Sequence, residues 1–368
     1  MQIQLHTLRT RVHDANLPSD VRTKLTEQLD RLDFIMTAGN AAAFSFYDQT
    51  VTYVQWVLEL PWYNKSTDML DIARAKQIFN KNHYGLDQIK HRILEYLSVI
   101  IMQRKSELGE TPHEEYTPLR KGTTEQALSA HKDLRAPILC FVGLVGTGKT
   151  TMAVSLAEAL NRKVIRIPFG GLSSALDLRG LSRIHNEAEP GIVMRSLRRV
   201  GVNNPVILLD ELDRVSDTQR SEIMGVLVEL LDPAQNQAFT DHYIDMPFDL
   251  SGAIFVATAN NINKVATAVI DRMEIIQMPS YTDEEKNHIA KQYLLPRAME
   301  ATGMDPSILM VDDVVWPILV RPLGFDPGIR SLNRNIEGMV RKAAWKLLNG
   351  EGTSFKVTSV NYREFLEG

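Results

Sequence analysis

The sequence predicts an α/β protein, with a five-stranded parallel sheet set between a helical stem and a small helical unit. Three observations carry that expectation. Apolar runs alternate with helical segments between Pro137 and about Ser280, a glycine-rich loop follows the first run, and helical periodicity governs both flanks. The divisions that result are 1–105 for the stem, 106–134 for a linker or surface insertion, 135–280 for the α/β unit, and 281–368 for the last helical unit.

In the stem, Val21, Leu25, Leu29, Leu32 and Met36 recur at helical spacing behind the start signal Pro18-Ser19-Asp20. Phe46, Val51, Val54 and Leu58 repeat the pattern, and Leu60-Pro61-Trp62 ends that helix because proline cannot continue it. A third helix starts near Leu86, with Ile89, Ile93, Leu97 and Ile100 on one side. These stripes are read as core. From Glu107 to Asp133 the pattern breaks into a Thr-, Glu- and Lys-rich stretch with two prolines, in which Glu114, Glu115, Arg120 and Lys121 read as solvated charges.

The centre of the chain is ILCFVGLVGTGKTT. Ile138 to Val142 reads as a buried strand, and Gly143, Leu144, Val145, Gly146, Thr147, Gly148, Lys149, Thr150 and Thr151 follow with the spacing G-x-x-x-x-G-K-[ST]. Glycines at these points let backbone N–H groups turn toward phosphate oxygens. Lys149 can reach the outer phosphates of a nucleotide such as ATP, and the Thr150 hydroxyl can ligate Mg²⁺. The run Met152 to Leu160 supplies the helix that faces them.

Further strands are expected at Val164 to Ile167, Val206 to Leu209, Ala253 to Ala257 and Ile275 to Met278. The third ends in Asp210-Glu211, placing two carboxylates at the sheet edge where open α/β sheets bind ligands. Asp210 can hold Mg²⁺ through a water, and Glu211 can polarise an attacking water. The fourth leads into Thr258-Ala259-Asn260, whose amide could orient that water; a turn-forming asparagine is the alternative. Arg272 sits just before the fifth strand, where it could reach a neighbouring subunit's nucleotide or, alternatively, pair with Asp271 or Glu274.

Composition sets the limits. The chain has 368 residues, 44% hydrophobic and 23% charged, enough for two or three domains with a real core. A net charge of -4 and a pI near 6.2 give no basic face, so nucleic acid is not indicated as the main partner. The single cysteine, Cys140, lies inside the first strand and reads as a small buried hydrophobe, with no disulfide framework or cysteine metal site. No apolar run is long enough to span a membrane, and the N-terminus lacks a signal-peptide core, so a cytoplasmic protein is expected.

Seven stretches together resemble the ATPase portion of the Lon protease family, whose members are AAA+ P-loop NTPases. They are WVLELPW (Trp56 to Trp62), HYGLDQIKHRILEYL (His83 to Leu97), LLDELDR (Leu208 to Arg214), LLDPAQNQAFTDHY (Leu230 to Tyr243), PFDLS (Pro247 to Ser251), FVATAN (Phe255 to Asn260) and DRMEII (Asp271 to Ile276). The resemblance covers nearly the whole chain. It implies that Asn260 is sensor 1, Arg272 the arginine finger and Arg330, in Gly328-Ile329-Arg330, sensor 2, with His83 and Tyr84 near the adenine. It also implies ATP and Mg²⁺, a homo-hexameric ring and protein substrates, with the final helices, including the face Ile329, Leu332, Ile336, Met339, Val340, Ala343 and Leu347, forming the small lid.

Three departures shape the functional expectation. No serine–lysine peptidase portion precedes Gly368, the family's large substrate-recruiting region is absent, and the pore-lining aromatic, aliphatic and glycine are replaced by His185, Asn186 and Glu187. The expected function is therefore an AAA+ ATPase that unfolds or remodels proteins without its own peptidase. The alternatives are the ATPase fragment of a full Lon protease acting in protein quality control, and a nucleotide-gated scaffold that docks one protein partner.

Overall fold

A sheet buried on both sides needs apolar residues at nearly every position, and the three inner strands of this sheet have them. The computed structural model describes residues 2–37, 43–107, 137–185, 187–320 and 328–366. The expected insertion at 106–134, including its charged pairs, lies outside the described residues apart from the helical residues 106 and 107. The strands of the main sheet are β1 (Ile138–Val142), β2 (Val164–Pro168), β3 (Val206–Asp210), β6 (Ile254–Ala259) and β7 (Met273–Gln277), all parallel, in the order β2-β3-β6-β1-β7. A short antiparallel pair, β4 (Phe239–Thr240) and β5 (Pro247–Phe248), lies between β3 and β6 in sequence.

All five expected strands are present, with shifted ends. β3 runs one residue further, through Asp210, and β6 runs on to Ala259, which brings the chemistry-bearing residues into the last register positions. β7 starts earlier than expected, at Met273. It is an edge strand and only its Ile276 is buried, so its polar Glu274 breaks the apolar signal without breaking the pairing, Leu139 opposite Glu274.

The helices ahead of the sheet divide between two cores. The first three, α1 (Gln2–Asp14), α2 (Ser19–Thr37) and α3 (Ala43–Leu58), belong to one apolar cluster with Ile165, Ile207, Leu209 and Ala257. The next two, α4 (Ile72–Asn82) and α5 (Asp87–Glu107), belong to another with Phe141, Val206, Leu208 and Val256. Alternate residues of β3 thus enter opposite clusters, as the period of two requires. The connection from α3 is anchored by Tyr53, whose hydroxyl donates to the Ile244 carbonyl at 3.0 Å, and by Trp62 packed on Phe248 at 5.1 Å between ring centroids. Helix α4 escaped the periodicity reading because only Ala75, Ile78 and Phe79 are buried in it; its signal is the cap Asp71, which accepts from Ala73 and Arg74 N–H. Among the described residues, no helix is long and apolar enough to cross a membrane. Cys140 is fully buried, as expected, and burial pushes its thiol up to about 12.

The lid has a third core. Helices Asp283–Ile289 and Leu295–Ala301, joined by one π-helical turn, pack with Val315–Val320 and the long helix Arg330–Leu348. Thr282 and Glu285 form a reciprocal capping box at the entry. The expected apolar face holds Leu332, Ile336, Met339, Val340 and Ala343 in this core. A parallel pair, β8 (Leu309–Val311) with β9 (Phe355–Val357), and a last turn Tyr362–Phe365 complete it.

One buried carboxylate fixes the stretch between Gly180 and Gly191. Asp241 is fully buried and accepts from the N–H groups of Gly191 (2.7 Å), Tyr243 (2.8 Å) and Ile244 (3.1 Å). Burial raises its pKa against the pull of those three bonds. Asp241→Ala leaves three donors without an acceptor, so chemical denaturation should show a loss of about 2–4 kcal/mol.

Candidate functional site: a phosphate cleft closed by the lid

The loop after β1 turns through Gly146 and Gly148, both in the left-handed region at φ +83° and +92°, where a Cβ would be strained. Gly148 then starts the phosphate helix Lys149–Ala159. With its open backbone donors, this helix start is a ready anion site. Lys149 is folded back onto the loop, its Nζ donating to the carbonyls of Gly143 and Leu144, both at 2.8 Å, and to Asn260 Oδ1 at 3.0 Å. Burial lowers its pKa, while Asp213, Asp210 and Glu211 act in the opposite sense.

Asp210, at the end of β3, is 3% exposed. Its Oδ1 accepts from Thr258 Oγ1 at 2.6 Å and from Thr150 Oγ1 at 3.2 Å, so β3, β6 and the phosphate helix meet on one oxygen. Its Oδ2 accepts from Arg166 Nε at 2.7 Å and lies 2.6 Å from Arg166 Nη2. Glu211 follows in the left-handed region, φ 58° and ψ 53°, with its N–H donated to Thr258 Oγ1 and its carboxylate 3.2 Å from Arg214 Nε. A side chain held in that region is costly and persists only where neighbours enforce it.

A cleft of about 260 Å³ brings Lys149, Thr150, Asp210, Glu211, Asn260 and Arg330 to one place, with Gly146, Gly148 and Thr151 of the loop. A larger cavity of about 820 Å³, between α2, α3 and the stretch around His185, contains none of these groups. The hard oxygen pair of Thr150 and Asp210 fits Mg²⁺, which takes one or two protein ligands and completes its shell with phosphate and water. Among the described residues, no cluster of three His, Cys, Asp or Glu side chains could form a protein-only metal cage.

The lid touches the loop directly. Ile329 N–H donates to the Gly146 carbonyl at 3.2 Å, and a Cβ added to Gly328 would lie 2.4 Å from the Gly146 carbonyl carbon. Tyr281 adds a hydroxyl bond to the Thr147 carbonyl. Arg330, the next residue, therefore reaches the cleft from a lid anchored on the loop itself.

Other expected residues lie elsewhere. His83 does not line the cleft: it is buried against the phosphate helix, its Nε2 2.9 Å from Ser155 Oγ. Tyr84 stacks on His288 of the lid at 3.9 Å between ring centroids. Arg272 lies outside its own chain's cleft and pairs with neither Asp271 nor Glu274. Its Nη2 is 3.3 Å from Asp232, and its Nη1 donates to the Ala268 carbonyl. His185 is exposed beside Ile184, which is 90% exposed, while Asn186 is outside the described residues.

Three contributors were missed in the sequence. Thr258 bridges Asp210 and Glu211. Asp213, buried, accepts from the N–H groups of Asn260 (2.8 Å) and Asn261 (3.3 Å) and so orients the end of β6; its signal was a third carboxylate in Asp210-Glu211-Leu212-Asp213. Arg166 was detectable as a lone charge in the apolar run Val164-Ile165-Arg166-Ile167.

A parallel sheet with this loop, paired carboxylates after β3 and a docked helical lid defines a nucleotide-binding ATPase domain of AAA type. Residues 139–281 match the family model of the ATPase family associated with various cellular activities (AAA). Over 99% of its length the chain is 36% identical to a Lon protease of Geobacter metallireducens, of which it covers 40%. It is 37% identical to a Lon protease of Lawsonia intracellularis, again covering 40%, and 37% identical to Lon protease 2 of Thermus thermophilus, covering 42%. The chain is similar to these Lon proteases over nearly its whole length, and it spans about two fifths of theirs.

Two outcomes follow from the geometry. Burial, reinforced by the nearby Lys90 ammonium, lowers His83 to about 4 from an ordinary 6.5. The unfolded chain therefore takes up this proton first, and stability is lost as pH falls from 6.5 toward 4, by about 3 kcal/mol for this group. Denaturant melts across that range should show a flatter acid limb for His83→Gln than for the parent. Gly328→Ala should push the lid off the loop, an overpacking cost of about 1–3 kcal/mol, which titration calorimetry would read as roughly tenfold weaker nucleotide binding.

Proposed function

We propose that this chain is a Lon-type AAA+ ATPase that binds ATP with Mg²⁺ and uses hydrolysis to unfold or remodel protein partners within a homo-hexameric ring. The observation that carries this reading is the convergence of Lys149, Thr150, Asp210, Glu211 and Asn260 on one cleft that Arg330 enters from the lid. Lys149 leaves its carbonyl partners for the outer phosphates, and Thr150 and Asp210 hold the divalent ion. That ion, when bound, neutralises charge on the phosphate oxygens. Glu211 takes a proton from the attacking water as general base, with Asn260 setting the water's direction. Arg272, which does not line its own chain's cleft, would complete the site of an adjacent subunit in this reading, a contribution worth about 10³ or more in turnover in related chemistry. Arg330 and the Ile329–Gly146 bond convert phosphate occupancy into movement of the lid.

Ile184 bears on the second half of the proposal. His185 and Glu187 offer a chain-gripping loop little apolar surface, but Ile184, one position earlier, is almost fully exposed and supplies it. This favours polypeptide engagement over a nucleotide-gated scaffold.

Glu211→Gln tests the chemistry: nucleotide binding should stay near that of the parent while turnover falls by about 10² or more. Retention of parental turnover removes Glu211 as the base. Turnover of the parent, measured across protein concentration, should rise as subunits meet and rise again with an unfolded model protein. A rate indifferent to unfolded chain rejects the remodelling role.

A further inference from the structure

Arg166 has no part in the scheme above, yet it makes two close polar contacts with Asp210, a side chain that the scheme uses. It stands on β2, at the edge of the sheet, and its guanidinium places Nε and Nη2 at 2.7 and 2.6 Å from a single oxygen, Asp210 Oδ2. The two partners differ in freedom. Asp210 is 4% exposed at its side chain and is held by Thr150 and Thr258 on its other oxygen, whereas the Arg166 side chain is 59% exposed. The carboxylate is fixed, and the arginine has solvent on one side and the phosphate cleft on the other.

From this geometry we infer that Arg166 is a resident cation that competes with the divalent ion for Asp210 and transfers to the nucleotide phosphates when that ion binds. The inference rests on the nucleotide reading proposed above. Asp210 Oδ2 cannot accept two hydrogen bonds from a guanidinium while also accepting from the water shell of Mg²⁺, because both occupy the same lone pairs. A guanidinium matches phosphate oxygens as well as it matches a carboxylate, so a nucleotide entering the cleft offers Arg166 an equivalent partner. Arg166 already lines that cleft with Lys149 and Arg330. Arg166 is thus a positioning residue. It keeps Asp210 neutralised, and it makes the exchange of cations conditional on phosphate.

The readout is the coupling factor between metal and nucleotide: the Kd for ADP in excess EDTA divided by the Kd in saturating Mg²⁺, measured by calorimetry. In Arg166→Gln this factor should fall several-fold below the parent, because metal-bound binding loses the phosphate contact that the transferred arginine makes, while metal-free binding, in which the arginine stays on Asp210, changes little. Arg166→Lys, a point charge that cannot span two contacts, should fall between them. A factor unchanged in Arg166→Gln, with both constants shifted alike, reduces Arg166 to a plain phosphate or structural contact and overturns the inference. A raised factor overturns it too, since the arginine would then oppose the metal without passing to the phosphates. If the parent binds no ADP in either condition, the nucleotide reading fails and takes this inference with it. If the parent binds ADP but its coupling factor ignores Arg166, only this inference falls.

Discussion

Asp210 is the constraint around which the cleft is assembled. A carboxylate taken out of water at the end of a parallel strand is expensive unless each of its lone pairs is used. Here Thr258 comes from β6, Thr150 from the phosphate helix and Arg166 from β2, so three neighbours of β3 are pinned to its last residue. The same Thr258 oxygen accepts the Glu211 N–H, which fixes the left-handed turn that aims the next carboxylate. Asp213 repeats the device three residues after Asp210, catching the N–H groups that follow β6. The run from Asp210 to Asp213 therefore has one carboxylate bonded to neighbouring hydroxyls, one presented to the cleft and one that orients Asn260.

Close approach of two glycines does for the lid what Asp210 does for the sheet. The Gly328 and Gly146 backbones meet at a distance that admits no side chain on Gly328, and the Ile329–Gly146 hydrogen bond seals the contact. A lid resting on side chains could tilt while the loop stayed still, because side chains rotate. One resting on the loop's backbone cannot move without the loop noticing, since Gly146 is itself held at φ +83° within the phosphate turn. The burial of Tyr281, with its hydroxyl on the Thr147 carbonyl, strengthens the same seam.

What could be read from the sequence follows the range of the interactions. Strands β1, β3 and β6 were visible because burial on both faces writes continuous apolar runs, the edge strands β2 and β7 because enough of each run stays apolar, and the loop because its glycines are demanded by local backbone geometry. Helix ends marked by Pro61 and by the Thr282–Glu285 box were local as well. Arg166, Asp213 and Thr258 were not legible as a unit, since their partners lie far along the chain, Asp210 at 44 and 48 residues from Arg166 and Thr258, and Asn260 at 47 residues from Asp213. His83 shows the same limit from the other side. Its motif suggested the adenine, and what the fold adds is a contact no local pattern shows, burial against Ser155 under the phosphate helix. The pairing of Arg272 with Asp232 rather than its sequence neighbours belongs to the same class of long-range fact.

The stretch Leu230 to Tyr243 gains its meaning only in three dimensions. At its start Asp232 holds Arg272 and accepts from Ala234 and Gln235 N–H; near its end Asp241 holds Gly191 N–H and closes its own turn through Tyr243 and Ile244. Between them Asn236 accepts the Leu250 N–H, which keeps the β4–β5 hairpin against the strap. Beyond Asp241, the Ile244 carbonyl takes the Tyr53 hydroxyl, and the Arg183 guanidinium lies 3.6 Å over the Tyr53 ring. One short strap thus grips the arginine that faces away from the cleft at one end, and at the other the loop that exposes Ile184. Because its own bonds are made by buried or half-buried carboxylates in tight turns, it is stiff along its length. The strap therefore links Arg272, through Asp232, to the N–H of Gly191 beyond the exposed Ile184, through Asp241.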